Sequence, residues 1–321
     1  MKKVFITGGA GFIGSYVVRE FLKHGYKVFV YDAFKQYMTV DPGKESFDLR
    51  QRLKEVWKKI TVIRGDTMNK DFLRRSLNHV RPGVIIHTAA LPLASEAIEH
   101  TEEALDSILL STFNMLEIMR DFKHRCRFVY ISSSMVYGDF RKTIVSEDHP
   151  TDPKDIYGAF KRATEIVVKA FGKRHDIDFS IIRPSAVYGP GDANKRVLYQ
   201  FISRALEGKP VQVAGNGSMK LDFTYVKDLA AGIYRVAVSS QCSGKIYNMT
   251  RGEAKSLAEA VGIIKKHIPG LRIEHQPVPA YMPKRGTLDV KRARRDAGYS
   301  PGYSLERGLH EYIEHLRKNP F

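Results

Sequence analysis

Cysteine is almost missing. Cys126 and Cys242 are the only two in 321 residues, too few for a disulfide framework or a four-cysteine metal site, so a reducing cytoplasm is the expected setting and no metal site is expected. Long apolar runs are missing as well. No stretch approaches the roughly 20 residues that cross a bilayer, and the first apolar segment, Val4 to Thr7, runs into glycines without a secretory hydrophobic core, so neither a membrane span nor export is expected. There is no internal repeat and no low-complexity segment. Acidic residues are in deficit, with 52 Lys and Arg against 35 Asp and Glu, a surplus of 17. Such a surplus suits nucleic acid, an acidic surface or an anionic small substrate. The basic residues are scattered apart from Lys284, Arg285, Lys291, Arg292, Arg294 and Arg295. No nucleic-acid motif accompanies that cluster, which reads as a solvated helix face, so nucleic acid is not an expected partner.

What is present is enough apolar material for a core, 43% hydrophobic and 11% aromatic, in a chain long enough for two parts. Val4 to Thr7, Lys27 to Tyr31, Ile60 to Ile63, Val84 to His87 and Phe128 to Ile131 are short β-branched or aromatic runs separated by stretches of helical length. That alternation predicts β-α units and a doubly wound parallel sheet, with Phe12 to Leu22 and Leu105 to Phe122 as crossover helices. Phe34 to Trp57, polar and charged with Pro42 and Gly43, reads as a loop and helix inserted after the second strand, without a legible role. After about residue 183 the alternation breaks, and a smaller mixed α/β domain is expected. The boundaries are 1–183 with about 224–252 for the first domain, and 184–223 with 253–321 for the second. Ser256 and Ser304 are expected N-caps of surface helices.

Thr7-Gly8-Gly9-Ala10-Gly11-Phe12-Ile13-Gly14 follows a strand and opens a helix. Glycines fall where such a loop turns, approaches a pyrophosphate and packs helix on strand, and the helix N-terminus offers amides to an anion. Asp32 ends the next strand, where an acid bonds both ribose hydroxyls and repels a 2′-phosphate, so NAD is favoured over NADP although Lys35 lies nearby. Gly65-Asp66 could meet the adenine edge, and His87-Thr88-Ala89-Ala90 sets small residues beside the cofactor. Tyr157 and Lys161 are four apart in a segment of helical composition, and Ser132-Ser133-Ser134 end the fifth strand. A phenol with an ordinary pKa of about 10 acts as a base near neutrality only beside positive charge, which Lys161 and an oxidised nicotinamide would supply.

Together these motifs, with Arg183 to Pro190, Gly215 to Asp228 and Arg285 to Pro301, resemble the extended short-chain dehydrogenase/reductase superfamily in its NAD-dependent sugar epimerase/dehydratase branch. The resemblance implies a Rossmann domain plus a smaller domain holding a nucleotide-sugar substrate, and a homodimer paired through Leu105 to Phe122 and Tyr157 to Phe171. It implies Ser133, Tyr157 and Lys161 as catalytic residues. Around the cofactor it implies Gly8, Gly11, Phe12, Ile13, Asp32, Asp66, Thr67, Ala89, Ala90, Tyr157, Lys161 and Pro184. At the substrate it implies Ser134, Met135, Lys220 and Arg285. Met135 stands where dehydratases of the family carry an acid, so water elimination loses its usual base and 4-epimerisation is the expected reaction. Ala186 and Leu221 stand where Asn and Arg commonly hold the substrate diphosphate; Lys195, Arg196, Lys220 and Arg285 are the basic candidates left. A net dehydrogenase, ketoreductase or decarboxylase of the same fold, and a non-catalytic scaffold, are the competing readings.

Overall fold

The computed structural model describes residues 1–35, 49–192, 196–278 and 282–319. Strands β1 (Lys3–Thr7), β2 (Lys27–Asp32), β3 (Ile60–Arg64), β4 (Val84–His87) and β5 (Arg127–Ile131) join Phe179–Arg183 and Lys245–Asn248 in one sheet. The order is Lys245–Asn248, Phe179–Arg183, β5, β4, β1, β2, β3, and every pairing is parallel. Chain order reverses at β1, where Thr7 lies between Tyr31 and His87. Such a reversal opens a crevice at the carboxyl ends of the strands.

Both faces of the sheet are covered, which explains why its strands are apolar throughout rather than alternating with polar residues. Val4, Ile6, Val28, Val30, Val84 and Ile86 face one core, under α1 (Phe12–Lys23) and the helix Val226–Val238. Phe5, Phe29, Ile85 and Phe128 face the other, under α2 (Lys70–Val80) and the helices Ser111–Met119 and Ile156–His175. This is the Rossmann-type α/β architecture expected from the motif order.

A separate core forms where Leu198, Phe201 and Ile202 meet Val211, Leu257, Ile264, Leu309 and Ile313. Three helices carry it, Val197–Leu206, Leu257–His267 and Leu305–Lys318, beside the parallel pair Val211–Ala214 and Ile273–Gln276. Both expected caps are formed. Ser256 exchanges bonds with Glu259 in a capping box, and Ser304 accepts from the Arg307 amide. Val290, Ala293 and Tyr299, in a stretch expected to belong to the second domain, pack into the first core instead.

Two segments differ in form from their periodicity. Leu105–Leu110 is a π-helical turn that passes into the α-helix Ser111–Met119, a local widening that a 3.6-residue pattern does not register. Of the insertion after β2, Leu49–Lys59 is a 3₁₀ helix with Leu53 fully buried in the first core; Pro42 and Gly43 lie outside the described residues. Among the described residues, no helix is long and apolar enough to cross a membrane. The basic cluster is partly neutralised on the spot: Arg292 pairs with Asp148 at 2.6 Å, Arg295 with Asp296 at 2.7 Å and Lys291 with Asp289 at 3.8 Å.

Candidate active site

At the carboxyl end of β1 the chain turns through Gly8, which has φ +67°, and enters α1 with Gly11 as its N-cap. A Cβ on Gly8 would lie 2.6 Å from the Ala89 amide nitrogen, and one on Gly14 would lie 2.1 Å from the Gly8 carbonyl oxygen. Only glycine allows loop, helix and the end of β4 to come this close. The loop backbone is bare of side chains where a pyrophosphate would approach it, and the residues present fit a dinucleotide.

Asp32 is buried and accepts from the Ala10 and Phe34 amides, each at 2.8 Å. Burial raises its pKa, against those two bonds and the Arg52 guanidinium. Lys35 does not stand free beside it, because its Nζ pairs with Asp66 Oδ2 at 2.7 Å. That pairing ties up the Lys35 charge that could otherwise welcome a 2′-phosphate. Thr67 follows Asp66 and is buried, its carbonyl held by Asn114. Beneath the loop, His87 is bonded through Nδ1 to Thr7 at 2.7 Å, and burial lowers its pKa to about 3, so the ring is neutral.

The helix Ile156–His175 starts at Asp155, whose carboxylate accepts from the Gly158 amide at 2.8 Å. That cap sets the first turn, and Tyr157 and Lys161 follow on one face. Ser133, at the exit of β5, lies beside the Tyr157 hydroxyl and accepts from the Met135 amide at 3.2 Å. Tyr157 also packs against the small buried cluster of Leu91, Ala97, Ala104 and Ile108, beyond the end of β4. Lys161 is buried, donates to the Ile131 carbonyl at 2.8 Å and lies 5.7 Å from the Tyr157 ring centre. Burial pulls its pKa down to about 7.

Burial thus weakens the positive charge expected of Lys161, and other groups add to it. Burial raises the Tyr157 pKa, and the Arg196 guanidinium, the Ser133 hydroxyl and the Arg285 guanidinium oppose it. Arg196 pairs with Asp192, lies 5.5 Å from the Phe12 ring centre and reaches the Pro92 carbonyl at 3.5 Å, so it spans the mouth of the crevice. Arg285 Nη1 lies 3.5 Å from Ser134 Oγ. The Ser134 amide donates to the Pro184 carbonyl at 2.9 Å. Lys220, by contrast, is exposed beside Glu259, and among the described residues no contact ties it to Ser133, Tyr157 or Arg285. Leu221 turns toward the second core together with Ala186, as alternation along a strand dictates. Lys195 lies outside the described residues.

One step further along the helix, Glu165 is fully buried and takes two bonds from Arg183, at 2.8 and 2.6 Å, and one from Ser132 at 2.6 Å. Arg183 is stacked 4.7 Å from the Tyr137 ring centre. Sequence reasoning missed this support of the serine loop, since its members are 18 and 33 residues apart. Asp155 it could have found, as an Asp three residues before the first amide that needs a partner.

Comparison with known proteins agrees with this geometry. The model of the NAD dependent epimerase/dehydratase family matches residues 4–250. A putative UDP-glucose 4-epimerase of Methanocaldococcus jannaschii is 29% identical over 98% of this chain and 99% of its own. A dTDP-glucose 4,6-dehydratase of Neisseria meningitidis is 28% identical over 98% and 93%. Among solved structures, the UDP-glucuronic acid 4-epimerase of Bacillus cereus, in complex with UDP-glucuronic acid and NAD, superposes with a TM-score of 0.90 at 26% identity over 98% and 99% of the two chains. A match that spans the phosphate loop, Asp32, Ser133, Tyr157 and Lys161 in one continuous run leaves a single assignment: the chain belongs to the NAD-dependent epimerase/dehydratase family.

Proposed function

We propose that the protein is an NAD-dependent nucleotide-sugar 4-epimerase. The observation that carries this reading is the grouping of Tyr157 with Ser133 at the exit of β5 and with Lys161 one turn on. Gly8, Gly11, Phe12 and Ile13 would hold the pyrophosphate of NAD, and Asp32 the ribose. Asp66, Thr67, Ala89, Ala90 and Pro184 would line the rest of its site. When bound, NAD supplies the store for the hydrogen exchanged at the sugar carbon.

The chain's own work is proton transfer. The Tyr157 phenolate takes the proton of the substrate hydroxyl, and the Ser133 hydroxyl bonds the reacting oxygen. Arg196 and Arg285 favour the phenolate electrostatically, and Lys161 anchors the helix to the end of β5 while supplying charge in its protonated fraction. Tyr157 gives the proton back to the same oxygen when the hydrogen returns to the ring carbon on its opposite face, so inversion needs no further acid or base. That is why Met135, a thioether in the 3₁₀ turn Ser134–Tyr137, suits epimerisation and not water elimination. Ser134 and Arg285 would contact the sugar.

The protein acts as a homodimer in a reducing cytoplasm on this reading, with both cysteines buried. The dimer is supported by Leu110, Phe113 and Ile166, large apolar side chains exposed on the two helical segments that relatives pair. The cofactor domain comprises 1–183, 224–252 and, on packing grounds, 290–299; the rest forms the substrate domain. Mass spectrometry with proton NMR after incubation with NAD and a panel of nucleotide sugars tests the reaction. A product of unchanged mass with an inverted ring-proton coupling is the expected result. Loss of water, carbon dioxide or two hydrogens would overturn it in favour of dehydratase, decarboxylase or dehydrogenase.

A further inference from the structure

The 3₁₀ helix Leu49–Lys59 interrupts the β-α alternation, and nothing in the motif order requires it. Its Arg52 is nonetheless buried at the rim of the cofactor crevice. Nε donates to the Gly191 carbonyl at 2.8 Å and Nη1 to the Ala10 carbonyl at 3.2 Å. The helix itself is fixed, with Leu53 buried in the first core and the Arg52 carbonyl accepting from Arg19. Ala10 is therefore gripped from both sides, its carbonyl by Arg52 and its amide by Asp32 at 2.8 Å. A second tie runs parallel, from the Tyr16 hydroxyl on α1 to the Pro190 carbonyl at 3.0 Å. Pro190 and Gly191 lead to Asp192 and Arg196, whose guanidinium lies over Phe12. One side chain thus fastens the phosphate loop to the chain segment that enters the second core.

We propose that Arg52 is a positioning residue for the dinucleotide: it latches the phosphate loop to the turn at 190–192 and slows release of NAD. This rests on the NAD-dependent reading above. A single fixed guanidinium holding two carbonyls suits the task because it is planar and keeps its charge, whereas an apolar side chain of equal volume would fill the space and leave both carbonyls without that donor. An epimerase returns its cofactor to the starting oxidation state in every turnover, so slow release costs it nothing. The inserted helix would then have a role in cofactor retention.

The test loads wild type, Arg52→Met, Arg52→Lys and Tyr16→Phe with radiolabelled NAD, dilutes them into excess unlabelled NAD and follows release by rapid filtration. Melting temperatures of the NAD-free proteins are measured alongside. Release at least tenfold faster from Arg52→Met, an intermediate rate from Arg52→Lys and a two- to threefold increase from Tyr16→Phe are expected, with NAD-free melting within a few degrees of wild type. Wild-type release from Arg52→Met overturns the latch while leaving the epimerase reading intact. Faster release that tracks a lowered NAD-free melting temperature, without rescue by lysine, also overturns it, because the residue would then be merely structural. Should Arg52→Met fail to fold, an unchanged rate in Tyr16→Phe overturns the latch and an increased one supports it. Wild type that takes up no NAD overturns the cofactor reading and the latch together.

Discussion

The two sides of the crevice are built by different means. On the cofactor side the backbone makes the site: Gly8, Gly11 and Gly14 hold loop, helix and strand end within distances that a single methyl group would violate. On the substrate side, side chains make it, and they come from remote parts of the chain, with Arg285 reaching Ser134 across 151 residues and Arg196 reaching Pro92 across 104. A backbone-built site tolerates almost no change in its few positions. A side-chain-built site can exchange members, and Ala186 and Leu221 stand where the family resemblance leads one to expect Asn and Arg. The lesson is that the reaction of such an enzyme is more strongly fixed than its substrate.

Breaking the chemistry at the meeting point of the two sides has the largest expected effect. Tyr157→Phe loses the proton-transferring hydroxyl, and kcat should fall by about 10²–10⁴-fold while NAD still binds. Near-normal turnover in that variant would remove Tyr157 from the mechanism. On the cofactor side, Gly14→Ala drives a methyl group to within 2.1 Å of the Gly8 carbonyl. The loop must shift, and NAD affinity by calorimetry should drop by at least about tenfold with about 1–3 kcal/mol of stability lost. Unchanged affinity would show that the loop is more pliant than its contacts imply. Asp32→Ala removes the proposed ribose acceptor. NAD should bind about tenfold more weakly, the worth of a bond to a charged group, and the preference over NADP should narrow. A preserved ratio would mean that another group reads the ribose.

Lys161 gives a pH signature. Its folded pKa of about 7 lies below the ordinary 10.5, so between those values the unfolded chain binds more protons. Its contribution to stability is then full above about 10.5 and is lost as pH falls toward 7. Melting of the NAD-free protein should gain from this group as pH is raised from 7 to 9, and Lys161→Met should flatten that rise. An identical slope in the variant would show that the ammonium is not desolvated. The smallest effect belongs to the substrate side. Ala186 has φ +39°, in the left-handed region where alanine is strained. Ala186→Asn should therefore stabilise by about 1 kcal/mol, read as a higher melting temperature. A loss of stability would mean that the second core has no room for the longer side chain.

Much of this was legible in the sequence, for identifiable reasons. The five leading strands, the phosphate loop, Asp32 and the Tyr157-Lys161 pair are local patterns, so short windows reveal them. The Ser256 and Ser304 caps are equally local. What escaped depends on distance: the Arg183–Glu165 pair, the Arg52 ties and the charges that face Tyr157 join residues no window contains. The burial that weakens Lys161 as an ammonium is likewise a property of the packed site. The π-helical turn at Leu105–Leu110 escaped for another reason, since one widened turn leaves the spacing of apolar residues nearly unchanged.

The Glu165–Arg183 pair has one more consequence. Residues 157, 161 and 165 occupy successive turns of one helix, so a slip of that helix by a single residue would rotate its face by about 100°. Glu165 would then leave Arg183, and two buried charges would lose each other at a cost of about 3–5 kcal/mol. The pair thus acts as a detent for the helix, admitting one rotational setting in which the phenol meets Ser133 and excluding its neighbours. An ion pair set back from the reacting groups thus sets the aim of the phenol.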